Sequence, residues 1–151
     1  MRRVLAVLTV LFALAGTASA EERATPADAE ELVHSAVAYI KRHGVEKAFK
    51  EFRNKSGPFI YKDLYIFVND MEGNLVVLGA DPSKEGKRMA DAKDPNGKPY
   101  IKERLELIKA KGAGWHTYAY KNPATGKVEN KVGYVERYEN YIIGSGAYQD
   151  K

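Results

Sequence analysis

The sequence predicts a single α+β domain. A five-stranded antiparallel sheet carries a long N-terminal helical region on one face and a loop-plus-helix cover over a pocket on the other. Three observations predict this. Apolar residues recur at helical spacing from Leu32 to Phe52, and from Tyr61 onward β-branched and aromatic runs bounded by turn residues take over. A polar segment, 79–111, interrupts the strands. With 44% apolar and 29% charged residues among 151, the chain can bury a sizeable core.

The helical region, about 26–52, opens with Thr25 as N-cap, Pro26 at N1 and Asp28 at N3. Leu32, Val33, Ala36, Val37 and Ile40 form its apolar stripe, continued by Val45, Ala48, Phe49 and Phe52. Gly44 either splits it into two helices or is tolerated inside one. After a breaker cluster at Asn54–Pro58, Tyr61–Asn69 reads as a strand, Asp70–Asn74 as a turn and Leu75–Leu78 as the returning strand. Residues 79–99 are long for a structureless loop, and such loops are usually functional or carry short helical turns. Tyr100–Lys111 reads as a helix ended by Gly112. Trp115–Tyr120, Lys127–Tyr138 and Tyr141–Tyr148 complete the sheet, which with its cover fills about 59–149.

The first twenty residues are expected to be a leader. Arg2 and Arg3 precede an apolar run of about twelve residues, Val4–Ala15, and Ala18-Ser19-Ala20 is an A-x-A cleavage site. The run is short against the roughly 20 residues that span a bilayer. Cleavage after Ala20 leaves 21–151 as a periplasmic or secreted domain and lowers the formal charge from +4 to +2. Export and this small excess of positive charge argue against a nucleic-acid partner.

Several chemistries find no support. The absence of cysteine removes disulfides, thiolate metal sites and a cysteine nucleophile. His34 and His43 lie nine apart on the helical region, do not share a face, and are expected to be solvated. No metal site or cofactor is therefore expected. None of Ser35, Ser56, Ser83 or Ser145 sits in a G-x-S-x-G elbow, so no catalytic residue is assigned and the chain is not expected to be an enzyme. Asp70-x-Glu72-Gly73-Asn74 and Asp94-Pro95-Asn96-Gly97 resemble fragments of calcium loops without the closing Glu, and turn chemistry accounts for both. Gly144-Ser145-Gly146 reads as a strand kept small so that something can approach its backbone.

The cover, 79–111, is too polar to fill its face of the sheet, which leaves a cavity lined by strand side chains. By the two-residue strand period, Tyr65 and Phe67 share a side, as do His116, Tyr118 and Tyr120, and Tyr148 closes the last strand. Tyrosine hydroxyls need partners when buried, and converging rings of this kind line small-molecule pockets. Aromatics in strands also pack as plain core. His116 either faces the cavity as a hydrogen-bonding group or is structural, with Trp115 a lesser candidate. Lys131, mid-strand, either snorkels at an edge or holds an anion.

At this point the chain resembles a known family. Tyr65–Asn74 is similar to the first hairpin of the single Cache domain (sCache type 2) family, and Asp94-Pro95-Asn96-Gly97-Lys98-Pro99 to its D-P-x-G-K-x segment. Gly114-Trp115, Tyr118-x-Tyr120-x-Asn122-Pro123 and Thr125 to Val135 resemble its third and fourth strands, and Gly144-Ser145-Gly146-x-Tyr148 its terminal G-[ST]-G-x-Y. The likeness runs from about Ala36 to Tyr148. It implies a PAS-like sensor fold outside the cytoplasmic membrane that binds small ligands, in several relatives short carboxylates such as acetate, propionate, pyruvate or lactate. By motif position the family's pocket aromatics map onto Tyr65, Phe67, Tyr118 and Tyr120, and its strand-four lysine onto Lys131. Where members often carry His near the end of the second strand, this chain has Leu78. Such domains usually sit in chemoreceptors and sensor kinases. No apolar span follows Tyr148, so a separate membrane receptor or kinase partner is expected. The expected ligand is a small organic anion, and the alternative is an interaction module whose pocket is filled by its own side chains. A homodimer through the N-terminal helix is compatible with such sensors, but nothing in this sequence specifies one.

Overall fold

A computed structural model describes residues 22–149. The expected leader and its cleavage site lie outside the described residues. Thr25 caps α1 (Pro26–His43): its hydroxyl accepts from the Asp28 N–H at 3.1 Å, and the Asp28 carboxylate accepts from the Thr25 N–H at 2.8 Å. Gly44, at φ 82°, ends α1, and a separate α2 (Val45–Phe52) follows. Ala29, Leu32, Val33, Ala36, Val37 and Ile40 form the buried stripe of α1.

The expected strand Tyr61–Asn69 is corrected to three short pieces. β1 (Ile60–Tyr61) and β2 (Leu64–Tyr65) pair as a tiny hairpin about Lys62, whose φ is 53°, and β3 (Phe67–Asp70) begins afterwards. A positive φ at a non-glycine marks a sharp local turn that hydrophobic periodicity cannot reveal. β4 (Leu75–Leu78) returns across the expected turn, where the Asp70 carboxylate accepts from the Glu72 and Asn74 N–H groups. A single 3₁₀ turn (Pro82–Lys84) and α3 (Tyr100–Lys111) lie in the cover, and β5 (Ala113–Lys121), β6 (Val128–Tyr138) and β7 (Tyr141–Gln149) complete the sheet.

The five strands run antiparallel in the order β4-β3-β7-β6-β5. On one face α1 and α2 pack on Ile66, Val68, Val77, Tyr134, Ile143 and Ala147. On the other, the cover contributes Tyr100, Ile101, Arg104 and Ile108 from α3, all buried. β5 is an edge strand. Its Ala119 N–H donates to the Asp94 carboxylate at 2.9 Å, and its Thr117 carbonyl accepts from Lys98 Nζ. The Asp94–Lys98 segment thus blunts an edge that would otherwise present unpaired backbone groups. Burial works against the charge of Asp94, but N–H donors from Ala119, Lys98 and Asn96 outweigh it and hold its pKa below the usual aspartate value.

Candidate functional site

Strand parity sets which side chains face the cover. Phe67 and Asn69 on β3, Tyr118 and Tyr120 on β5, and Lys131 on β6 all line one cavity, which Leu75, Leu78, Met89, Tyr100, Ile101 and Arg104 close. Its volume is about 30 Å³. By the same measure one water needs roughly 10–15 Å³, so the cavity has room for little more than water.

Lys131 does not snorkel. The residue is 1% exposed, and its Nζ donates to the Tyr65 hydroxyl at 2.8 Å, with a longer contact to the Tyr148 hydroxyl at 3.5 Å. The Tyr148 hydroxyl donates to the Lys121 carbonyl at 3.1 Å, so the Tyr65 hydroxyl, 2.9 Å away, donates to Tyr148. Every donor in this chain points away from the amine. Four rings surround Nζ, with the Tyr65 centroid at 4.1 Å and that of Tyr148 at 4.8 Å. Among the described residues no carboxylate is ion-paired with Lys131. Burial, and then the charge of Arg104, push its pKa well below the ordinary lysine value.

The two small glycines of the last strand make this arrangement sterically feasible. A Cβ on Gly146 would come within 2.9 Å of Lys131 Cε. One on Gly144 would overlap the Phe67 ring. What approaches the backbone there is the lysine stem and a phenyl ring, which settles why this stretch carries no side chains on the pocket face.

Arg104 was absent from the sequence-derived candidates. It is 3% exposed, its guanidinium carbon lies 4.3 Å from the Phe67 centroid, and its Nη1 donates to the Asn69 side-chain oxygen. Its Nε donates to His116 Nε2 at 3.3 Å. Both partners are neutral. The helical spacing Ile101, Arg104, Ile108 puts it on the buried stripe of α3, and that spacing was the available signal.

His116 lies on the pocket side but does not line the cavity: it stacks on Tyr118 at 4.8 Å behind Arg104. Its Nδ1 is buried without a partner. Burial and the charge of Arg104 take its pKa down to about 2, so it acts as a neutral acceptor that positions Arg104. Trp115 is corrected outright. It is 42% exposed and packs on Tyr134 on the helical face, because residue 115 has the opposite strand parity to 116 and 118. Tyr148 joins the Lys131 network from β7 without lining the cavity itself. His34 and His43 are exposed on α1, as expected.

The arrangement therefore presents hydrogen-bond donors and one guanidinium charge to a small space also lined by Leu75, Leu78, Met89 and Ile101. No helix among the described residues is long and apolar enough to cross a membrane.

The chain is similar in sequence and in fold to known sensor proteins. The sensor histidine kinase MctS of Rhizobium johnstonii is 34% identical over 91 residues, 59% of this chain and 20% of that protein. The methyl-accepting chemotaxis protein McpP of Pseudomonas putida is 27% identical over 90 residues, 58% of this chain and 16% of that one. The match thus spans a fifth or less of either relative's own length. A solved Cache chemosensory domain, described as showing the structural basis for carboxylic acid recognition, superposes with a TM-score of 0.69 at 24% identity, covering 82% of this chain and 92% of its own. The family model for single Cache domain 2, a family of extracytoplasmic sensor domains, matches residues 4–151, and the chain belongs to that family.

Proposed function

We propose that this chain is an extracytoplasmic sensor module that binds a short organic carboxylate on Lys131 and Arg104. It would report its occupied or empty state to a separate membrane receptor or kinase. The observation that carries the proposal is that two buried basic side chains, the Lys131 amine and the Arg104 guanidinium, line one cavity with no carboxylate ion-paired to either among the described residues. The buried guanidinium is a charge without a counter-charge, which is costly, and a ligand carboxylate would supply the partner and accept from the Lys131 amine as well. Tyr65, Tyr118, Tyr120 and Phe67 then give shape and hydroxyl contacts, Tyr148 holds the lysine from behind, and His116 holds the arginine. The printed descriptions of the relatives, a sensor kinase, a chemotaxis protein and a carboxylic acid-recognising domain, support a signalling role and this ligand class. The leader over residues 1–20, cleaved after Ala20, belongs to the same proposal.

Thermal-shift screening of acetate, propionate, pyruvate and lactate at millimolar concentration tests this. At 100 times its Kd a ligand stabilises by about 2.7 kcal/mol, a shift of several degrees for a domain of this size. If no acid moves the melting temperature by even a degree, the ligand class is wrong. A self-filled interaction module is the second reading, and the small volume of the cavity favours it. A crystal structure from protein purified without added acids separates the two: copurified ligand density against closed side-chain packing.

A further inference from the structure

Lys131 Nζ faces neutral or positive groups from almost every element packed against it. Tyr65 from β2 and Tyr148 from β7 supply hydroxyls, Phe67 from β3 a ring face, and Tyr120 from β5 a ring 5.6 Å away. From α3 comes Arg104, a guanidinium that stays charged at every accessible pH, beside Tyr100. Behind Arg104 lie His116 and Tyr118, and beyond them Lys98, which donates to the Thr117 carbonyl and pairs with Glu103. Two acids lie nearby. The Asp94 carboxylate is taken up by backbone N–H groups. Asp63 favours the lysine charge from a distance, while one of its oxygens accepts from the Ala24 N–H. The ring faces stabilise an ammonium but bring no counter-charge.

We propose that carboxylate binding here takes up one proton. The empty pocket holds Lys131 as a neutral amine; the entering carboxylate draws a proton from solvent onto Nζ, and an ammonium–carboxylate pair forms with no bond broken in the ligand. The formal charge within the pocket, one guanidinium, is then the same before and after binding. This inference rests on the carboxylate reading above. The depressed lysine pKa agrees with it, since burial comes first among its causes and Arg104 second. The other neighbours stay silent near neutrality. His116 is held down to about 2, Tyr118 is pushed up to about 12, and burial raises Tyr65, Tyr100 and Tyr148 as well. Lys131 is therefore the group that registers the ligand's charge. Affinity falls by up to about tenfold per pH unit once pH exceeds the value at which Lys131 loses its proton in the empty domain.

Two measurements on the full domain test this. Calorimetric titration with acetate and with propionate, in phosphate and in Tris at one neutral pH, reads the protons exchanged from the buffer dependence of the heat. Independently, ¹³C-lysine NMR of the ligand-free protein reads the titration of the Lys131 ε-carbon. The expected results are uptake approaching one proton per acid bound, and a Lys131 midpoint below those of the exposed lysines. Equal heats in the two buffers, or a Lys131 that titrates with the surface lysines, overturn the inference. Absence of any binding heat removes the carboxylate reading instead, and the ligand-free titration still decides the state of the lysine.

Discussion

Lys131 and Tyr65, 66 residues apart in sequence, meet in the interior at 2.8 Å from Nζ to hydroxyl. Tyr65 on β2 and Lys131 on β6 line the same cavity, beside Phe67 on β3. The contact leaves the amine with a neutral partner only.

Replacing Lys131 with Met separates function from stability. The apolar chain keeps the volume and removes a buried polar group without a counter-charge, so the empty domain is expected to gain about 1 kcal/mol or more. Losing one partner of the proposed ion pair is expected to cost about 2–5 kcal/mol of binding, on the order of 100-fold or more in Kd. Urea denaturation and calorimetry of the same variant check both halves.

Arg104→Met leaves the Asn69 oxygen and His116 Nε2 without their donor and removes the fixed charge at the cavity. Carboxylate affinity is expected to fall by about 1.5–3 kcal/mol, the range for hydrogen bonds to charged groups. Arg104→Lys retains part of it. Equal affinity in all three proteins would show that the ligand does not touch α3.

Gly144→Ala brings a methyl group against the Phe67 ring and Val135. Overpacking of this kind costs about 1–3 kcal/mol. Denaturant midpoints should show the loss even without ligand.

Asp94→Ala removes the acceptor of three backbone N–H groups at the β5 edge. A loss of about 1–3 kcal/mol is expected at neutral pH. The folded-state pKa of Asp94 is lowered, so its contribution is full above the ordinary aspartate range and lost as pH falls through the folded value. The stability gap between wild type and variant should therefore close in acid.

The sheet was legible because its strands are β-branched and aromatic runs bounded by turn residues. Period two put Tyr65 with Phe67 and Tyr118 with Tyr120, the structure adds Lys131 to the same face, and the turn residues at 70–74 and 139–140 marked the hairpins. The same rule excludes Trp115, which is one residue out of phase with His116. Three features were missed. The kink at Lys62 depends on one backbone torsion, which composition does not encode. Arg104 hid because a lone arginine in a helix reads as solvated surface, although Ile101 and Ile108 put it on the buried side. Asn69 hid likewise, sharing the parity of Phe67 but belonging to a type usually found exposed. The site's make-up, two basic side chains with no acid paired to them, emerges only when α3 is laid across β6.

A crystal structure of the domain with propionate addresses the central claim most directly. The account predicts a carboxylate within hydrogen-bonding distance of both Lys131 Nζ and the Arg104 guanidinium, with its alkyl end against Leu78 and Met89. A cavity that stays closed over its own side chains at saturating propionate, or a ligand seated elsewhere, would contradict it.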